Sequence, residues 1–200
     1  MKRLHRKDLF GWSVFNERLD IDFNSVAWVR PGGNILFDPL PMTPHDLEHL
    51  QKLGGAKWIV VTNSAHVRDS AQLADALKAV RVGPRAERAT FPLKCSRWLG
   101  EGDALVPGLA TYEMEGSKTP GELAFVLEEA TLITGDLIRS HRAGQLMLLM
   151  AEQGLADPAK ALASVGRLAQ LPKLEAVLVG DGWSVFHDGR ALLGRLAAIG

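Results

Sequence analysis

Cysteine is almost absent from this chain, and charge of either sign is never in surplus. Cys95 alone can close no internal disulfide and build no cysteine metal cluster, which fits a reducing compartment and sets the expected location as cytoplasmic. Lysine and arginine number 23, as do aspartate and glutamate, and no long run of one sign occurs. Neither nucleic acid nor a membrane surface is therefore an expected partner. Apolar runs are short too, well below the roughly 20 residues of a membrane-spanning helix. The basic start from Met1 to Asp8 leads into Phe10-Gly11-Trp12-Ser13-Val14, too broken for the apolar part of a signal peptide. What is present is core material. With 200 residues and 46% hydrophobic content, the expectation is one globular domain over residues 1–200.

Period and punctuation divide the chain. Ile21 to Arg30 and Asn34 to Phe37 read as strands of a hairpin turned by Pro31-Gly32-Gly33. A helix is expected from about Pro44 to Leu53, then a buried strand from Lys57 to Thr62 and a helix starting near His66 and including Ser70 to Leu77. Short strands and turns fill Val80 to Gly116, where glycines and prolines are frequent. Helices are expected at Gln145 to Gln153 and Pro158 to Ala169, the second with proline at its start. A strand from Ala176 to Val179 and a helix from about Gly189 to Ile199 complete the reading. Gly-Trp-Ser-Val-Phe occurs at 11–15 and 182–186, one entering a strand and one leaving, which reads as chance rather than repeat.

The stretch Thr119-Pro120-Gly121-Glu122-Leu123-Ala124-Phe125, followed by Thr131-Leu132-Ile133 and Thr134-Gly135-Asp136-Leu137, resembles the metallo-β-lactamase superfamily. There a Thr-Pro-Gly turn feeds a strand, and a second strand ends in Gly-Asp with its aspartate reaching two metal ions. The resemblance extends in the family's order from Ile35-Leu36-Phe37-Asp38 to Val177-Leu178-Val179-Gly180-Asp181-Gly182. It implies an α+β fold, a four-layer αββα sandwich of two face-to-face sheets with helices outside. It also implies that Asp38 supports the metal-binding loop by hydrogen bonds.

The family's loop, Thr-His-x-His-x-Asp-His, corresponds here to Thr62-Asn63-Ser64-Ala65-His66-Val67-Arg68-Asp69. Aligned on Thr62 without a gap, the ligand positions hold Asn63, Ala65, Val67 and Arg68. A slip of one residue brings His66 to the second histidine position, Arg68 to the aspartate and Asp69 to the last histidine. In neither register is the ligand set complete, and the Arg68 charge opposes a bound cation. Lys118 stands where the family has a histidine before Thr-Pro-Gly, and Asp181 where it has Gly-His-Gly. Of the family's ligands Asp136 alone remains, with Asp181 as a carboxylate substitute.

The former metal pocket is thus expected to comprise Asn63, His66, Arg68, Asp69, Lys118, Asp136 and Asp181, supported by Asp38, Thr62 and Trp183. Lys118 and Arg68 are read as replacing the charge of the lost ions, because two buried carboxylates need a counter-charge. His66 reads first as a residue packing at a helix N-terminus, and second as a surviving ligand or general base. His141 and His187 read as surface or capping residues, and Cys95 as a small hydrophobe. His45-Asp46-Leu47-Glu48-His49 matches a zinc peptidase pattern, yet Leu47, Leu50 and Leu53 would turn both histidines to solvent. The leading functional reading is a metal-free protein, without cofactor, that binds a small ligand or partner in the old pocket. The alternative is a hydrolase of an ester, thioester, lactone or amide, with zinc or another divalent metal on Asp136, Asp181 and His66. A structural or interaction module is the third.

Overall fold

A computed structural model describes residues 1–199. Its larger sheet has seven strands in chain order: β1 (Lys2–Arg3), β2 (Leu9–Asn16), β3 (Ile21–Trp28), β4 (Ile35–Phe37), β5 (Trp58–Val60), β6 (Val80–Pro84) and β7 (Arg97–Leu99). Pairing is antiparallel from β1 to β4 and parallel from β4 to β7. The second sheet comprises β8 (Leu109–Met114), β9 (Glu122–Leu127), β10 (Thr131–Thr134) and β13 (Ala176–Val179), in the order β13-β10-β9-β8. Between β10 and β13 in sequence, β11 (Ile138–Arg139) and β12 (Met147–Leu148) form a small antiparallel ribbon.

Alternation along the strands explains the layers. Phe37, Trp58 and Val60 face Leu123, Phe125 and Leu127 in a core between the sheets, where the Phe37 and Phe125 rings lie 5.4 Å apart. Leu36, Ile59 and Val61, one residue out of phase, pack outward with Leu50 of α1 (Pro44–Lys52) and Leu73 of α2 (Ser70–Leu77). Ala124, Val126 and Leu132 do the same on the other side, beneath Val165 and Leu168 of α3 (Pro158–Ala169) and Leu193 of α4 (Gly189–Ala197). The result is an αββα sandwich. These strands read as continuous apolar runs because both of their faces are covered.

Caps fix the helix starts. Thr43 accepts from the Asp46 N–H and Asp157 from the Lys160 N–H, each followed by proline at the first helical position. The helix expected at Gln145 to Gln153 does not form. Met147 and Leu148 pair instead with Ile138 and Arg139, the Leu149 N–H bonds the Leu137 carbonyl, and only the 3-10 turn Ala151–Gln153 is helical. Leucine and methionine favour helix locally, but burial of Leu146 against the second sheet, and of Leu149, decides the outcome. The expected helix start near His66 is also divided: a 3-10 turn, Ser64–His66, comes first, and α2 begins at Ser70.

Candidate functional site

Four strand ends meet at one edge of the sandwich. Asp38 follows β4, Thr62 and Asn63 follow β5, Asp136 follows β10 and Asp181 follows β13. All five are buried.

Asp38 organises the loop after β5. Its Oδ1 accepts from the Thr62 N–H at 2.7 Å, and its Oδ2 accepts from the Thr62 hydroxyl at 2.6 Å and faces His66 Nδ1 at 2.8 Å. Asn63, at a position where the family carries a ligand, serves as a cap: its Oδ1 accepts from the N–H groups of Ala65 and His66. That cap tightens the 3-10 turn and turns His66 inward. Asp38 and Arg68 hold left-handed φ of 45° and 47°, a conformation non-glycine residues keep only where surrounding contacts impose it. Here the Asp38 carbonyl accepts from the Ser25 hydroxyl and from the Arg68 guanidinium.

His66 is not the packing residue at a helix start that the first reading supposed. It is 4% exposed, with Nε2 3.5 Å from Asp136 Oδ2 and 3.9 Å from Asp181 Oδ1. Burial and the Arg68 charge push its pKa down, but Asp38 and Asp136 outweigh them and hold it up at about 9. Its ring is therefore an imidazolium at neutral pH. Asp136 is held well below the usual carboxylate range: burial opposes ionisation, and His66 and then Lys118 overcome it.

Lys118 Nζ lies 2.8 Å from Asp136 Oδ1. Arg68 reaches Asp181 Oδ1 at 3.3 Å while donating to the carbonyls of Asn24, Asp38 and Gly180. A third cation was missed in the sequence: Arg139, buried on β11, pairs with Asp181 Oδ2 and donates to the Gln153 amide oxygen. Glu122 was missed as well. Fully buried at the start of β9, it accepts from the Leu137 N–H, the Ser117 hydroxyl and, at 3.4 Å, the Asn63 amide. Burial and the charge of Asp136 push its pKa up to about 7. Two buried polar atoms here have no hydrogen-bond partner, Asp136 Oδ2 and Arg139 Nε.

Two expected members lie elsewhere. Asp69 precedes α2 with its backbone N–H on the Pro39 carbonyl, and it does not line the cavity. Trp183 is 59% exposed and borders a different hollow with Trp12 and Phe186. The cause is Gly182, whose φ of +95° carries the chain away from Asp181 under the Ser140 carbonyl; a Cβ there would lie 1.6 Å from that oxygen. His45 is exposed, while His49 is partly buried with its ring edge-on to Phe10, so only the first of that pair faces solvent fully. His141 and His187 are exposed.

A cavity of about 340 Å³ opens onto this cluster, lined by Phe23, Leu19 and Leu149 together with Lys118, Arg139 and Asp136. His66, Asp136 and Asp181 could each offer one ligand atom to a metal, and those atoms lie within 4.8 Å of one another.

The His66 shift has a testable consequence. Its folded pKa of about 9 exceeds the ordinary 6.5, so protonation favours the folded state. That contribution is complete below pH 6.5 and is lost as pH rises through about 9. The thermal midpoint should therefore fall from neutral to alkaline pH, and His66→Gln should flatten that limb. A variant that falls in parallel with the parent would place the loss on another group.

A family model described as metallo-beta-lactamase superfamily matches residues 1–199. No curated protein matches the chain in sequence. Among solved structures, a metallo-β-lactamase from Pontibacter korlensis aligns with a TM-score of 0.76 at 15% identity, covering 99% of this chain and 98% of that one. The metallo-β-lactamase FIM-1 from Pseudomonas aeruginosa, in a mono-zinc form, gives 0.74 at 16% identity over 94% and 89%. A metallo-β-lactamase family protein from Thermus thermophilus gives 0.70 at 21% identity over 96% and 78%. At such identities the structural likeness speaks for the fold and not for activity.

Proposed function

This chain belongs to the metallo-β-lactamase superfamily, and from that premise we propose that it is a metal-free member, whose own cations take the place of the ions and whose pocket binds a small ligand without hydrolysing it. The observation that carries the reading is how the carboxylate oxygens are used. Asp136 Oδ1 is on Lys118, Asp181 Oδ1 is on Arg68 and Asp181 Oδ2 is on Arg139. His66 turns Nδ1 to Asp38, and its Nε2 faces Asp136 and Asp181. Asp136 Oδ2 has no close hydrogen bond and faces His66 Nε2 at 3.5 Å.

Zinc takes about four N, S or O donors with free lone pairs. A divalent ion here would displace a guanidinium from Asp181 and sit beside the charges of Lys118, Arg68 and Arg139 while gaining three ligands. Charge balance points the same way: Asp38, Asp136 and Asp181 already face His66, Lys118, Arg68 and Arg139. The residues present do not fit a metal ion. Without one, no group in the cluster lowers the pKa of a water enough to attack a carbonyl.

The proximity of His66, Asp136 and Asp181 favours a second reading, a hydrolase with one metal on those three residues. Turnover separates the two. Hydrolysis of β-lactam, thioester and phosphodiester substrates is expected to be absent, and added zinc should not produce it. Zinc-dependent turnover abolished by Asp136→Ala would establish the hydrolase.

A further inference from the structure

The cavity is unevenly charged. Of the groups around it, His66 faces Asp38, and Asp136 and Asp181 pair with Lys118 and Arg139. Lys118, Arg68, Arg139 and Arg18 line the cavity against those two carboxylates, so its lining carries more cations than carboxylates. Two of the four are committed. Arg68 is spent on three backbone carbonyls, Asp181 and the Phe23 ring, 5.5 Å from its guanidinium carbon, and Arg139 is held by Asp181 and Gln153.

The other two are available. Lys118 is 28% exposed, and an ammonium has three N–H donors, of which Asp136 takes one. Arg18 is exposed at the rim and has no carboxylate partner among the described residues. Part of the lining is apolar: Leu19, 43% exposed, the half-buried Phe23 and the buried Leu149. In the larger hollow over β8, Lys173 and Arg167 nearby are already paired with Glu129 and Glu101.

We propose that the pocket takes a small organic carboxylate, its head between Lys118 and Arg18 and its apolar body against Leu19, Phe23 and Leu149. The inference rests on the metal-free reading and adds the ligand class. A cavity of about 340 Å³ lies at the low end for small-molecule sites, which suits a single ring or a short chain. Inorganic phosphate would leave the apolar wall unused, and a neutral isostere would leave the cations unmatched.

Benzoate, benzamide, benzylamine and inorganic phosphate distinguish these features when titrated into the full chain, followed by amide chemical shifts in NMR, with the metal content of the same sample measured. Saturable shifts with benzoate at residues 18–23, 65–68 and 118 are expected, weaker at higher salt and absent for benzamide and benzylamine. Arg18→Ala should weaken benzoate about threefold to fivefold, the order an exposed charge pair supports. Leu19→Ser should weaken benzoate and leave any phosphate response unchanged. Both positions are exposed, so neither variant endangers folding. Equal binding of benzamide, or phosphate binding as well as benzoate, overturns the proposal. No benzoate binding by a chain free of metal overturns it while leaving the metal-free reading intact. Benzoate binding that requires about one bound metal per chain overturns both.

Discussion

Asp38→Ala should destabilise the protein by about 4 kcal/mol, in the range for removing one partner of a buried charged pair. The carboxylate satisfies the Thr62 N–H, the Thr62 hydroxyl and His66 Nδ1, all buried. Its loss leaves two donors unpaired and a buried imidazolium without its nearest counter-charge. For a chain of this size the thermal midpoint should drop by roughly 8–16 °C, and the urea midpoint should fall without a change in slope. Asp38→Asn keeps the shape and an acceptor for Thr62, so its cost should be clearly smaller. If Asp38→Ala lost less than about 1 kcal/mol, as a typical surface change does, Asp38 would not organise the loop.

The second large effect lies in the pair of Lys118 and Asp136. Lys118→Met takes the nearest cation from a carboxylate that is 2% exposed and leaves it His66 at 3.5 Å, and the partial exposure of the ammonium places the expected cost near 3 kcal/mol, the lower end for a broken buried pair. Adding Asp136→Asn to the same chain removes the carboxylate charge and should recover most of that loss. In a double-mutant cycle the two substitutions should couple by about 2 kcal/mol. Additivity within about 0.5 kcal/mol would mean that Lys118 does not serve as the counter-ion of Asp136.

How far the sequence announced this arrangement depends on whether a residue's orientation follows from strand geometry. Asp38, Asp136 and Asp181 each follow a buried apolar strand, and the resemblance to the family implied that those strand ends, with Lys118 before Thr-Pro-Gly, gather at one edge. The helix α3 was equally plain, from Pro158 and its period. His66 was not, because in a 3-10 turn capped by a side chain no period says which residue faces inward. In sequence, Arg139 lies in a segment to which no element is assigned. Only the ribbon formed with Met147 and Leu148, where a helix was expected, buries it. Glu122 sits at a strand start, a place where glutamate is ordinarily solvated, and nothing local marks it as enclosed. Trp183 was misplaced because the positive φ of Gly182 reverses the chain between it and Asp181.

The four cations that surround the three aspartates also say what a return to metal chemistry would require. Lys118→His would restore one imidazole, yet Arg68 and Arg139 would still occupy Asp181, and Asn63 would still be a cap rather than a ligand. A single substitution is not expected to produce a zinc protein.

The central claim, that these side chains stand in place of metal ions, is tested most directly by the metal content of the protein itself. The chain should be purified without chelator from cells supplied with zinc, iron and manganese, and analysed by plasma mass spectrometry beside its Asp136→Ala variant. The account predicts far less than one atom of any of these metals per chain in both. Zinc, iron or manganese near one atom per chain in the parent, lost in Asp136→Ala, would contradict it.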